Sequence, residues 1–221
     1  MGYAPENTLL AVRKALELQA RWIEIDVHCV DGDLLVIHDE VVDHPQDGRV
    51  NIYTNDLAYL RNIDVGEGEK IPTLEEVLQL VRGRAAVNIE LKGENTARPV
   101  CELVARRIEK HGWKSHDFLL SSFNCAELEA ARALLPDIPL AVLTDKQDST
   151  VFEIAGSLQA AFLNISLEIA EKEIIRKAHE NGLRVLVYTV NSPDELIRVQ
   201  QLGADGVFTD YVDVCRQLAG R

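Results

Sequence analysis

An α/β fold built around a mainly parallel sheet follows from two observations on this 221-residue sequence. Short β-rich runs alternate along the chain with longer amphipathic stretches, the signature of βαβ units with helices outside the sheet. Helix start and stop residues fall between those runs, where such units need them. Hydrophobic residues make up 47% and charged residues 27%, with 13 Gly and 7 Pro. Those proportions exclude a disordered, collagenous or coiled-coil chain. A chain of this length buries roughly 70% of its unfolded surface, so it needs neither disulfides nor a structural metal to fold. No linker or composition break divides it, and one domain over residues 1–221 is expected.

The elements follow in order. A helix over Thr8–Leu18 starts from a cap at Asn7 or Thr8. A strand is predicted at Trp22–Val27 and another at Leu34–His38. Only six residues, His28 to Asp33, join them; a parallel crossover takes about a dozen. With Asp31-Gly32 as a turn signal, the second strand folds back antiparallel or extends beyond the sheet. From Asp39 to Lys70 helical periodicity is weak until Asp56–Leu60, which reads as a long functional loop or insertion. Thr73 with Glu76 forms a capping box for a helix at Thr73–Val81. Strands at Ala86–Leu91, Phe118–Ser122, Leu140–Leu143, Ala161–Ile165, Arg184–Thr189 and Gly206–Thr209 complete the sheet. Helices at Ala97–His111, Ala126–Leu134, Glu168–Glu180 and Pro193–Gln201 connect them. Ser192-Pro193 opens the last of these, and Asn181-Gly182 and Gly203 stand where helices stop.

Charge narrows the functional classes. Thirty-six acidic residues against 23 basic ones give −13, which speaks against nucleic acid and anionic membranes as partners. A phosphate-bearing substrate stays open, because a bound divalent cation reverses the sign locally. Cys29, Cys101, Cys125 and Cys215 have no CxxC spacing and read as reduced thiols. Neither a secretory leader nor an apolar run of membrane-spanning length is present, so a soluble cytoplasmic protein is expected.

Three segments carry candidate chemistry. Glu24, Asp26 and His28 recur at period two on one strand and share a face. A strand buried in a parallel sheet should be uniformly aliphatic, so its carboxylates need compensation from a cation or exposure at an edge. Asn88, Glu90 and Lys92 alternate in the same way on a second strand. Glu24, Asp26 and Glu90 would form an all-oxygen site suited to Mg²⁺ or Ca²⁺ rather than Zn²⁺. Lys92 would be their ion-pair partner or a contact to phosphate. His38 ends an apolar strand beside Asp39, a pairing that suits an acid/base group or a structural histidine. Tyr188, at the end of a later strand, walls a pocket or belongs to the core.

In order and over most of the chain, these motifs resemble the glycerophosphodiester phosphodiesterase family. The matching segments are Pro5-Glu6-Asn7-Thr8-Leu9, Ile23-Glu24-Ile25-Asp26-Val27, Val36-Ile37-His38-Asp39 and Ile71-Pro72-Thr73-Leu74-Glu75-Glu76-Val77-Leu78. Asn88-Ile89-Glu90-Leu91-Lys92, Ser121-Ser122-Phe123, Tyr188-Thr189-Val190-Asn191 and Gly206-Val207-Phe208-Thr209-Asp210 continue the series. The resemblance implies a TIM-type (β/α)₈ barrel with its site at the strand C-termini. It implies Glu24, Asp26 and Glu90 as ligands of one Mg²⁺ or Ca²⁺, Lys92 as a phosphate contact, and His38 as one of two acid/base histidines. Residues 39–70 would be the family's small insertion. The implied reaction is hydrolysis of a small-molecule glycerophosphodiester to glycerol 3-phosphate and an alcohol.

Two departures accompany the resemblance. The family's first strand ends in His-Arg-Gly just before the Pro-Glu-Asn-Thr segment, whereas this chain reads Met1-Gly2-Tyr3-Ala4 there. Asp43-His44-Pro45 replaces the family's Arg-Thr-Thr. The expectation is a barrel lacking its first strand and an enzyme impaired as given. A start placed too late, a non-catalytic phosphate-binding relative, and substitution by another residue or subunit are the competing accounts. Open sheet edges would favour an oligomer.

Overall fold

The computed structural model describes residues 2–44 and 48–219, the last three of these by backbone alone. Met1 and Pro45, both named above, lie outside them. The chain divides into two compact units, residues 1–118 and 119–221.

The first unit opens with α1 (Leu9–Glu17), capped by Thr8, whose hydroxyl accepts from the Ala11 amide. β1 (Trp22–Val30) follows and runs three residues beyond its expected end at Val27. A two-residue turn, Asp31-Gly32, reverses the chain into β2 (Asp33–Val36). Both turn residues take positive φ, 50° and 91°, the conformation that a tight hairpin requires. The antiparallel return is therefore as expected, with Val27 opposite Val36 and His28 opposite Leu35. Because β2 ends at Val36, His38 lies on the exposed loop beyond the strand rather than at its end.

The 39–70 stretch is more ordered than a loop. It holds a hairpin, β3 (Val41–His44) and β4 (Gly48–Asn51), a 3₁₀ turn at Ile52–Thr54 and the short α2 (Leu57–Leu60). Val50, Ile52, Leu60 and Ile63 pack with Val30 and Leu35 in one buried apolar cluster. That burial replaces the periodicity missing from the sequence. α3 (Leu74–Val81) carries the expected Thr73–Glu76 capping box. β5 (Ala86–Leu91) then pairs parallel with β1, so β1 is flanked by β2 and β5. α4 (Ala97–His111) closes the unit, ended by Gly112 at φ 75°.

The second unit is a parallel βα array. β6 (Phe118–Ser122), α5 (Cys125–Leu134), β7 (Leu140–Thr144) and α6 (Thr150–Ser157) come first. β8 (Phe162–Ser166), α7 (Lys172–Glu180), β9 (Arg184–Tyr188), α8 (Pro193–Leu202), β10 (Gly206–Val207) and α9 (Val212–Ala219) complete it. Adjacent strands pair in sequence order; Ser121 aligns with Ala141, Ala141 with Phe162, and Phe162 with Arg184. Two helices, α6 and α9, were not expected. α7 begins four residues after Glu168, since Leu167–Ile169 makes a turn first. Among the described residues, no helix is long and apolar enough to cross a membrane.

Candidate functional site

The site of the first unit is set by the register of two strands. Asp26 on β1 is the direct partner of Glu90 on β5, and Glu24 is the partner of Asn88. Partners across adjacent strands project to the same face, so three carboxylates meet on one side of the sheet. One oxygen from each of Glu24, Asp26 and Glu90 lies within 4.8 Å of the others. Asp26 and Glu90 are buried while Glu24 stands at the exposed rim.

Such crowding shows in the acidities. Desolvation by the surrounding walls, then the charges of Asp26 and Glu90, hold Glu24 well above the usual carboxylate range, although its surface still reaches solvent. Burial and then Asp26 raise Glu90 as well, with Lys92 pulling the other way. The Lys92 ammonium stands 3.2 Å from Glu90 Oε1 and 3.6 Å from Asp26 Oδ1. Those two carboxylates in turn raise Lys92 above its ordinary value despite its own desolvation. One ammonium facing three carboxylates leaves negative charge uncompensated. An all-oxygen donor set carrying that excess fits a hard divalent cation.

Asp26 is held by a side chain that the sequence reading had offered only as a helix cap. Asn7 Nδ2 donates to Asp26 Oδ2 at 2.8 Å, and Asn7 Oδ1 accepts from the Asp26 amide at 3.0 Å. Asn7 reaches it from a left-handed backbone, φ 56°, which asparagine tolerates better than most residues. Capping of α1 then falls to Thr8. Two adjacent cap-type residues with only one cap to make are the signal that the sequence contained.

His38 lies beside the cluster. Its Nδ1 is 2.8 Å from Asp39 Oδ1, and its Nε2 is 3.3 Å from Lys92 Nζ. A carboxylate can only accept and an ammonium can only donate, so these partners assign a neutral imidazole with the proton on Nδ1 and the lone pair on Nε2. A second, buried histidine stands behind it. His28 Nε2 is 3.1 Å from the His38 carbonyl, and its Nδ1 is 2.6 Å from Tyr53 Oη. Burial foremost, with the Lys92 charge assisting, keeps His28 below the ordinary histidine value and therefore neutral. Tyr53 comes from the 39–70 stretch, and no pattern in the sequence marked it.

Glu24, Asp26, Glu90, Lys92 and His38 are thus gathered as the sequence reading expected. Tyr188 belongs to the second unit. It is half-buried, its hydroxyl donates to the Thr144 carbonyl at 3.0 Å, and its ring stands edge-on to Phe123 and Phe208.

Comparisons with known proteins point to one family. The Glycerophosphoryl diester phosphodiesterase family model matches residues 1–214. A glycerophosphodiester phosphodiesterase of Bacillus altitudinis is 34% identical, covering 96% of this chain and 91% of its own. One from Caldanaerobacter subterraneus subsp. tengcongensis is 30% identical, covering 93% and 88%. Among solved structures, an Oleispira antarctica phosphodiesterase in complex with the product sn-glycerol-3-phosphate superposes with a TM-score of 0.88 at 29% identity. That match covers 99% of this chain and 92% of the other. A glycerophosphodiester phosphodiesterase from Thermotoga maritima gives 0.75 at 27% identity, covering 96% and 92%. The fold class is accordingly α/β of the TIM-barrel type, with no strand ahead of α1 among the described residues.

Proposed function

Because the chain belongs to the glycerophosphoryl diester phosphodiesterase family, we propose that its carboxylate cluster and His38 hydrolyse glycerophosphodiesters to glycerol 3-phosphate and an alcohol. The observation that carries the reading is the convergence of Glu24, Asp26 and Glu90 within 4.8 Å of one another, with Lys92 and His38 in contact. Glu24, Asp26 and Glu90 would hold one Mg²⁺ or Ca²⁺, which when bound withdraws charge from the phosphoryl oxygens.

The residues of the chain supply the rest. Asn7 fixes the Asp26 carboxylate, and Lys92 offers its ammonium to a phosphate oxygen. His38 receives a proton at Nε2 and gives it to the departing alkoxide, while Asp39, bonded to Nδ1, stabilises the intervening imidazolium. Water contributes hydroxide to phosphorus and a proton to the alcohol, while the phosphorus–oxygen bond to the alcohol breaks. His38 is the acid/base histidine that this chain supplies, since no His-Arg-Gly occurs in it. The free thiols of Cys29, Cys125 and Cys215 support a reducing, cytoplasmic setting.

Phosphorus NMR of glycerophosphocholine and glycerophosphoethanolamine digested in ¹⁸O-labelled water tests the chemistry. Glycerol 3-phosphate carrying one ¹⁸O is expected. Phosphocholine or phosphoethanolamine as the product, or stoichiometric binding without cleavage, would overturn the reading.

A further inference from the structure

The geometry points to His28 as a positioning residue for His38, acting through the His38 carbonyl and itself held by Tyr53. The inference rests on the reading of His38 as the acid/base group. His28 is 2% exposed, and both of its ring nitrogens are engaged. The His38 carbonyl, 3.1 Å from Nε2, can only accept, so Nε2 carries the proton and Nδ1 is the acceptor. Tyr53 Oη, 2.6 Å away, donates to it. One neutral imidazole therefore satisfies both partners in a single tautomer, with no freedom to flip.

The connection matters because of where His38 sits. β2 ends two residues earlier, the His38 side chain is exposed, and its imidazole is held by Asp39 and Lys92. The Ile37 amide is tied to the Asp26 carbonyl at 3.0 Å, and the next carbonyl along is the one that His28 takes. Without that bond, no backbone group between the Ile37 amide and the Glu40 carbonyl, which accepts from the Ile52 amide at 2.9 Å, is tied to the rest of the protein among the described residues. A displacement of about 1 Å in a reacting group can cost up to about 10²-fold in rate.

Gly93 shows that the arrangement is built in. A Cβ added there would lie 2.1 Å from Tyr53 Oη and 3.3 Å from His28 Nδ1. The residue after Lys92 therefore has to lack a side chain for Tyr53 to reach His28. Tyr53 is fixed in turn by its amide, which donates to Asn51 Oδ1 at 2.8 Å, and by the fully buried Ile52 before it. Four segments thus converge on His28: β1 itself, the loop after β2, the 3₁₀ turn of the 39–70 stretch and the loop after β5.

Two substitutions separate the ends of the ring. His28→Gln keeps an N–H near the Nε2 position and can still donate to the His38 carbonyl. His28→Asn keeps an acceptor near Nδ1 for Tyr53 and loses the donor. Steady-state kinetics on glycerophosphocholine should show kcat reduced about tenfold or more in His28→Asn, with KM within about twofold. His28→Gln should recover to within about threefold of the parent, and Tyr53→Phe should fall between them. Equal losses in His28→Asn and His28→Gln would overturn the proposal, as would losses that simply follow thermal stability. Imidazole ¹H–¹⁵N spectra of the same samples give a readout independent of turnover. They should show an Nε2–H tautomer for His28, and a single His38 ring environment that doubles or broadens in His28→Asn but not in His28→Gln. If the parent releases no glycerol 3-phosphate, the hydrolase reading fails and the spectra alone decide; an unchanged His38 ring in His28→Asn then overturns the positioning role. Should His28→Asn not fold, Tyr53→Phe carries the same test, with a smaller loss of kcat and the same broadening expected.

Discussion

Asp26 and Glu90 are direct neighbours in the parallel pairing of β1 and β5, two buried carboxylates side by side that share the Lys92 ammonium as their cation. Like charges placed opposite one another destabilise a sheet. The metal-free protein should therefore gain about 1 kcal/mol on Glu90→Gln, and the variant should lose the stabilisation that Mg²⁺ or Ca²⁺ gives the parent. Thermal melts with EDTA and with each cation measure both effects.

The same pair predicts an unusual pH response. Burial and Asp26 hold Glu90 above its ordinary 4.5, so the folded state favours its protonated form. Its contribution to stability is present below 4.5 and lost as pH rises through the elevated value. Glu24 moves in the same direction. Glu90→Gln should flatten this loss in a melt series run in EDTA.

Arg61 and Glu76 predict the opposite slope. Arg61 Nη1 and Nη2 donate to the two Glu76 oxygens at 2.6 and 2.7 Å, and Nη1 also donates to the Ile71 carbonyl. The guanidinium, aided by the Thr73 amide, holds Glu76 at about 2 against an ordinary 4.5. Stability from this pair is complete above 4.5 and lost as pH falls towards 2. The Glu76 side chain is 39% exposed, so screening reduces its worth to about 1 kcal/mol. Arg61→Ala should remove that acid limb from unfolding curves recorded between pH 5 and 2.

Gly93→Ala tests the close approach of Tyr53. The added methyl meets Tyr53 Oη, and the ring must leave His28, losing one part-buried hydrogen bond worth about 1 kcal/mol. Urea denaturation should show that loss, and the double variant with Tyr53→Phe should lose less than the sum of the two.

In the second unit, Arg132 on α5 binds carbonyls on both sides of β7. Its guanidinium donates to Ile138, Leu158 and Gln159 at 3.3, 2.9 and 3.2 Å, and to Pro136. Arg132→Ala should cost about 1–3 kcal/mol in chemical denaturation, because several backbone acceptors lose one donor together.

What the sequence disclosed, and what it withheld, follows from the range of the interactions. Ala86–Leu91 and Ala97–His111 were legible to the residue because alternation and helical periodicity are local signals. Glu24, Asp26 and Glu90 stood out because carboxylates on a buried strand break the aliphatic rule. The β3–β4 hairpin and the Ile52 turn were hidden, since their order comes from packing against Val30 and Leu35 rather than from their own pattern. Asn7 and Tyr53 were missed for the same reason: each acts on a residue 19 or 25 positions away. α6 escaped because Thr150, Val151 and Gly156 are poor helix formers and its burial is tertiary.

The most direct test of the account is glycerol 3-phosphate release from glycerophosphocholine, measured before EDTA, after EDTA, and with Mg²⁺ or Ca²⁺ restored, beside Glu90→Gln. Release that EDTA abolishes, that either cation restores and that Glu90→Gln lacks is the predicted result. Release indifferent to both EDTA and Glu90→Gln would contradict it.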